Sequence, residues 1–486
     1  MTTSLFILIF SFNNIVWIIY GVRIAVLLPT DLTSPYAMVK VKPAIDLAVK
    51  EVTNRQLLIN QTIQVRYGDT NNSYILGPLI AIDFYAKQQA DVFLGPVDGP
   101  GLAAVARYSP HWKIPVISPG GGFNYHFDNK KEYQLLTRML HSSKTIVRFI
   151  SRNILPHFNW TVVRIIAERN IAEAQSECYM LMGALCRAVK NSSASAEMKE
   201  TCSHSIFDID YKLRNETREK LNKTLKDAKK EARILLTCMD SNLFREFMLT
   251  AHSLDMINGE YVFIYLDIFR LLRKDLSLLN WKRSDVSETE NKKIRRAFET
   301  VLIIGFKEPD TDKYQRFSDK VFEQTTITNQ SSLSNKLVNP YVATFYDAVL
   351  LYAYGLNRTI ATHGNASDGF SVVKNMWNSS FEGSNGIVQI SETGDPVSDY
   401  SLFDLDPDTD EFLEVGTYFG VNSTFVSLRE IYWIDKLTKT PNDIPFCGFD
   451  GSRCIQPKNP FLAWIYFTAI VSLLVIVLTL LATWYY

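Results

Sequence analysis

Neither sign of charge is in excess in this chain: 51 lysines and arginines stand against 51 aspartates and glutamates. Proteins that grip a phosphate backbone carry a basic surplus, so no nucleic-acid partner is expected. Glycine and proline are sparse, at 22 and 18 of 486 residues, which excludes collagen-like and low-complexity chains. Disorder is excluded as well, because 47% hydrophobic against 21% charged residues is enough to bury a core. At ordinary domain sizes the length predicts two or three folding units.

Catalytic signatures are missing too. The chain contains no H-E-x-x-H, G-x-S-x-G or G-x-x-x-x-G-K-[ST]. Its seven histidines are scattered, Cys202 and His204 are no more than a pair, and no C-x-x-C is present. The glycine run Gly120–Gly122 lacks the Lys-Ser or Lys-Thr that would follow in a phosphate loop. Asp404, Asp406, Asp408 and Asp410 alternate in a way that could bind calcium, but they read more simply as a solvated turn. No enzyme activity, cofactor or metal is therefore expected of these residues.

What is present begins at the ends. Residues 5–21 are apolar, broken mainly by Asn13 and Asn14, and read as a secretory signal peptide over 1–21. A basic n-region is absent, so an N-terminal membrane anchor is the alternative. From Phe461 to Tyr486 no residue is charged. A helix of that length crosses a hydrocarbon core of about 30 Å, and Trp464, Tyr466 and Trp484 suit the two interfaces. A transmembrane helix over 461–486 is predicted. No Lys or Arg follows it, so a fragment of a longer protein is expected, with a very short tail as the alternative.

The middle reads as extracellular. N-glycosylation sequons begin at Asn60, Asn71, Asn159, Asn191, Asn215, Asn222, Asn329, Asn357, Asn365, Asn378 and Asn422. The cysteines are even in number, as disulfide pairing requires. Together these imply a single-pass, type I plasma-membrane protein with its glycosylated N-terminal part outside.

Strands and helices alternate along that part. Short apolar runs at Arg23–Pro29, Thr62–Arg66, Asp91–Gly95 and Lys113–Ser118 read as strands. Helical spacing falls between them, at 44–52, 80–90 and 102–106. A second series follows, with a helix near Ser143–Leu155 and strands at Thr161–Ala167, Arg233–Cys238 and Tyr261–Tyr265. The helix Asn242–Leu254 lies between the last two of these strands. Such alternation predicts an α/β fold of two doubly wound lobes, with the polar stretch 190–232 exposed. Open α/β sheets bind ligands where loops leave the carboxyl ends of strands, here at 69–72, 96–101 and 119–126. The last, PGGGFNYH, is either a binding loop or simply a turn.

Several stretches carry a resemblance. VFLGP (92–96), HWKIPVIS (111–118), EYQLLTR (132–138), YVFIYLDIF (261–269), GFKEPD (305–310), MWNSSFEGSNG (376–386), DYSLFDLDP (399–407) and IPFCGFDGSRC (444–454) fall in order along the chain. It resembles the ectodomain of natriuretic peptide receptors and related receptor guanylate cyclases, in the receptor ligand-binding family of type I periplasmic-binding-protein-like fold. The resemblance implies four parts: a signal peptide (1–21), a bilobal ligand-binding ectodomain (22–437), a juxtamembrane segment with a short disulfide loop (438–460) and the transmembrane helix (461–486).

By the same resemblance the protein is a homodimeric receptor that grips one peptide hormone between its two membrane-proximal lobes. Arg107, Glu132, Tyr133 and Tyr179 stand at hormone-contact positions. An aromatic expected in the loop after Pro96 is replaced by Pro100. The resemblance also implies the pairs Cys178–Cys238 and Cys447–Cys454, with Cys186 and Cys202 left for each other. A family chloride site maps to Thr70, Val97 and Asp98. There Val97 and Asp98 replace Gly and Cys, and a carboxylate works against an anion. Any guanylate cyclase module would lie beyond Tyr486. The alternatives are a clearance-type or G-protein-linked receptor with a short tail, and a receptor for an amino acid or other small molecule bound in the cleft between lobes.

Overall fold

A computed structural model describes residues 21–59, 61–123, 125–170, 177–191, 204–209, 214–267, 281–307, 311–326, 338–434, 439–454 and 460–485. The expected signal peptide, apart from Gly21, lies outside these, as do the sequons at Asn60 and Asn329.

The first lobe is built on five parallel strands: β1 (Val22–Leu28), β2 (Ile63–Asp69), β3 (Val92–Leu94), β4 (Val116–Ser118) and β5 (Leu136–Arg138), in the order β2-β1-β3-β4-β5. β1 is apolar almost throughout because both its faces are covered. Ile24, Val26 and Leu28 face one core and Ala25 and Leu27 the other, following the two-residue period of a strand. Helices α2 (Leu76–Ala86) and α3 (Gly99–Trp112) cover the second face. Helix α2 starts and ends four residues before its expected span, since the chain turns at Lys87 and Gln88, where Gln88 adopts a positive φ of 53°.

The first face draws on distant parts of the chain. Helix α1 (Met38–Asn54) packs there through Val41, Ala44, Ile45, Ala48 and Val52. Beside it lies a helix that arrives about 290 residues later, Pro340–Ala361, with Phe345, Leu350 and Tyr352 in the same core. The hairpin β11 (Ser379–Gly383) and β12 (Gly386–Ile390) completes this side.

The second lobe holds an eight-stranded sheet. β6 (Val163–Asn170), β7 (His204–Ile209), β8 (Ile234–Cys238), β9 (Val262–Leu266) and β10 (Val301–Phe306) run parallel in the order β10-β9-β8-β6-β7. Three antiparallel strands extend it beyond β10: β13 (Tyr400–Leu405), β14 (Phe412–Phe419) and β15 (Thr424–Ser427). Helix α4 (Ser143–Phe149) runs into a π-helical turn, Ile150–Ile154, and packs on one face with α5 (Glu177–Asn191). The stretch expected to be simply exposed instead contributes β7 and helix α6 (Arg214–Lys229), whose Leu221, Leu225 and Ala228 are buried.

The last helix, Pro460–Tyr485, carries a segment from Trp464 to Trp484 with mean hydropathy 2.7 that buries nothing against the rest of the molecule. It is long and apolar enough to cross a membrane.

Candidate functional site

Arg107 stands on the outer face of α3 and Glu132 in the turn before β5, and the two form an ion pair. The Arg107 guanidinium also lies over the Tyr133 ring, 5.2 Å from its centroid. The hydrogen bond from Arg107 holds the Glu132 carboxyl below its usual range. Tyr133 is only 2% exposed and packs on Phe127 at 5.0 Å, so it supports Arg107 from beneath. Three of the four expected hormone-contact residues thus come together on the first lobe. The fourth, Tyr179, belongs to α5 in the second lobe, and its side chain lies outside the described residues.

Thr70 is buried at the carboxyl end of β2, and Asp98 caps α3, its carboxylate accepting from the Gly101 N–H at 2.7 Å. A helix start offers unpaired N–H groups to an anion, and here the chain supplies its own. Burial raises the Asp98 carboxyl while that N–H lowers it. A Cβ on Gly101 would come within 2.7 Å of both carboxylate oxygens, so no room is left beside them. The Asp98 carboxylate thus takes the helix-start N–H that an anion would otherwise accept from. The glycine loop after β4 packs directly on this segment: Gly121 has φ +67°, and a Cβ there would meet the Val97 carbonyl at 2.5 Å.

Helix α2 presents an unusual outer surface. Apart from Asp83, which pairs with Lys87, its side chains are apolar, and Leu79 (54% exposed) and Ile82 (42%) lie on one stripe with Ile75. The patch continues onto α3, where Tyr85 stacks on Trp112 at 4.9 Å and Tyr108 lies 5.4 Å from the same ring.

A polar cluster at the lobe junction escaped the sequence. Arg138, fully buried at the end of β5, pairs with Asp395 and Asp128 at 2.6 Å each and donates to the Gly122 carbonyl at 3.0 Å. Burial would raise the Asp395 carboxyl, but the Arg138 charge outweighs it and holds it low. Burial lowers the Lys130 ammonium to about 8 despite Asp395 at 3.5 Å. Next to this cluster His141 stacks on Phe306 at 3.5 Å, with its Nδ1 2.6 Å from the Ser398 hydroxyl, and burial pushes its imidazole down to about 3. The one sequence signal was an arginine closing an apolar strand; Asp395 is 257 residues away.

Asp404 is buried in β13 and accepts from the Tyr432 N–H at 2.9 Å, so it does not belong to a solvated turn. Beyond it Asp406 caps the turn through Thr409, and Asp410 pairs with Arg295 at 2.6 Å. No metal-binding group of His, Cys, Asp and Glu occurs among the described residues.

Disulfides join Cys178 at the start of α5 to Cys238 at the end of β8, and Cys447 to Cys454 seven residues on. Cys186 is also disulfide-bonded; Cys202 lies outside the described residues. Asn71, Asn159, Asn365, Asn378 and Asn422 are exposed, Asn222 and Asn357 are half-buried, and the surroundings of Asn191 and Asn215 are not among the described side chains.

The sequence profile of the receptor family ligand binding region matches residues 40–408. A receptor-type guanylate cyclase of Caenorhabditis elegans is 29% identical over 476 residues, covering 90% of this chain and 37% of the relative. Atrial natriuretic peptide receptor 2 of Homo sapiens is 28% identical over 447 residues, covering 90% and 41%. Atrial natriuretic peptide receptor 3 of Homo sapiens is 27% identical over 418 residues, covering 83% and 72%. The chain spans about two-fifths of the length of the first two.

Proposed function

The chain belongs to the family of receptor ligand-binding regions, and from that premise we propose that it is the extracellular sensor of a homodimeric plasma-membrane receptor for a natriuretic-type peptide hormone. The observation that carries this reading is the exposed pair of Arg107, on α3 beside the α2 face, with Glu132 of the turn before β5, braced by Tyr133. Burying α2 against α2 of a second copy would bring both protomers' pairs towards one shared space. By resemblance, Tyr179 adds a contact from the second lobe.

The second lobe is the membrane-proximal one in this reading. The segment leading to the span docks on it, with Trp160 donating to the Pro441 carbonyl at 2.9 Å and Asp443 accepting from the Val162 N–H at 2.8 Å. A peptide bound more tightly to one dimer arrangement than to another would shift the angle between those segments, which is the only way binding can report across the membrane. Guanylate cyclase activity is proposed for a longer product of the same gene, as the name of the Caenorhabditis elegans relative indicates. Sequencing the transcript past the Tyr486 codon tests that part.

Two measurements on the full chain test the sensor itself. Labelled natriuretic-type peptide should bind at the cell surface, and Arg107→Ala should weaken it by about 10- to 150-fold, in line with losing a charge-assisted contact of about 1.5–3 kcal/mol. No binding by the wild type would overturn the ligand assignment. Leu79→Asp/Ile82→Asp should leave the melting temperature unchanged while converting a dimer to a monomer in light scattering. A wild-type monomer with peptide bound would overturn the dimer.

A further inference from the structure

Helix α4 with its π-helical turn, helix α5 and the 3-10 turn Tyr125–Asp128 enclose an open cavity of about 290 Å3. Its charge is one-sided. Lys144, Arg148 and Arg152 follow one another at single-turn intervals on one wall, and Arg187 of α5 forms the opposite wall, its guanidinium 3.9 Å from the centroid of the Tyr125 ring. The one carboxylate in the lining, Asp128, is engaged by Arg138. Arginines elsewhere, such as Arg23, Arg245 and Arg295, each hold a carboxylate. Lys144, Arg148 and Arg152 have no such partner among the described residues. In a chain whose charges balance overall, that is an uncompensated positive site.

A second observation comes from beneath the cations. Ser143 lines the same cavity, is 1% exposed, and its hydroxyl has no hydrogen-bond partner. Buried polar atoms are nearly always paired, so this donor calls for an acceptor brought by a ligand.

We infer that the cavity binds a sulfated polysaccharide. From Lys144 to Arg152 the cations extend over about 12 Å at 1.5 Å per residue, longer than a single anion and suited to successive charges on a chain. Guanidinium forks match oxyanions in bidentate fashion. A sulfate offers three acceptor oxygens, enough to serve a fork and the Ser143 hydroxyl together, whereas the carboxylate of an acidic peptide offers two. The site is separate from Arg107 and Glu132, so it stands or falls independently of the hormone assignment; it rests on the ectodomain facing the extracellular space.

The test uses the full chain in non-ionic detergent, passed over immobilised heparin oligosaccharide at several salt concentrations. Binding is expected for the wild type, with Kd rising steeply with salt. Arg148→Ala/Arg152→Ala should weaken it at least tenfold and lower the log–log salt slope by about two, one per cation removed. Ser143→Ala should weaken it about threefold with the slope unchanged. Lys292→Ala/Lys293→Ala, an exposed basic pair on another helix, is the control and should stay within twofold. All variants should melt with the wild type. An unchanged slope in the arginine variant or an equal loss in the control overturns the inference. So does polyglutamate, desulfated heparin or inorganic sulfate competing as well as heparin at equal charge.

Discussion

Buried ionisable side chains set the pH response of this molecule, and they act in opposite directions. Burial pushes the Asp404 carboxyl up to about 7. The folded state therefore binds a proton that the unfolded state has lost, from the ordinary carboxylate value near 3.8 up to about 7. That contribution to stability is complete at low pH and disappears as pH rises through 7. Asp404→Asn keeps an acceptor for the Tyr432 N–H without a charge. Its stability relative to wild type, followed by melting at each pH, should rise steadily between pH 4 and 7, by up to about 1.4 kcal/mol per pH unit. His141 has the reverse sign: held neutral, it contributes stability above pH 6.5 that is lost as pH falls towards 3. Arg138 is the costliest residue to disturb. Asp395→Ala would take one of the two carboxylates paired with its buried guanidinium, and a loss of about 3–5 kcal/mol is expected in denaturant melts.

Elements were legible in the sequence where their apolar pattern was pure. β1, β3, β8 and β9 are buried on both faces and read as short continuous runs. The helix Ser241–Ser253 was visible from its spacing, and Asp240 caps it by accepting from the Asn242 and Leu243 N–H groups. Illegible were the strands that lengthen the second sheet: in β14, Gly416 and Thr417 interrupt the pattern, and their register depends on partners far along the chain. The hormone-contact trio could be named only by resemblance, since an exposed Arg107 carries no local signal. Nor does sequence reveal that the helix Pro340–Ala361 belongs to the first lobe. Its fit there depends on Gly355, where a Cβ would run into the Met376 side chain of the helix Gly369–Met376. Gly355→Val should destabilise the fold by about 1–3 kcal/mol through overpacking, read as a lowered melting temperature.

At the scale of the molecule, the chain crosses between lobes three times: after Arg138, after Phe306 and between Ile390 and Tyr400. Three strands at one junction favour hinge motion over separation of the lobes. The docked segment at Pro441–Asp443 would carry such motion towards the membrane. Asp443→Ala removes the acceptor for the Thr161 and Val162 N–H groups. It should speed hydrogen exchange across 439–454 while exchange in the lobe cores stays as in wild type; unchanged exchange there would mean that the segment is held by other contacts.

The late arrival of the helix Pro340–Ala361 and the hairpin β11–β12 in the first lobe also fixes an order of events during synthesis. The five strands of the first sheet are complete once Arg138 has emerged, yet one side of that sheet, covered early by α1, is completed only about 250 residues later. At 5–20 residues per second this is a wait of roughly 10–50 s. Through that interval the part of this core that Phe345, Leu350 and Tyr352 will fill is presented to whatever chaperones attend the nascent chain. The second lobe, by contrast, draws its sheet from residues 163–427 without borrowing from the first. The part of the molecule made first is therefore the part finished by a later segment, and shortened transcripts ending before residue 340 would encode a first lobe with its sheet intact but one side only partly sealed, by α1.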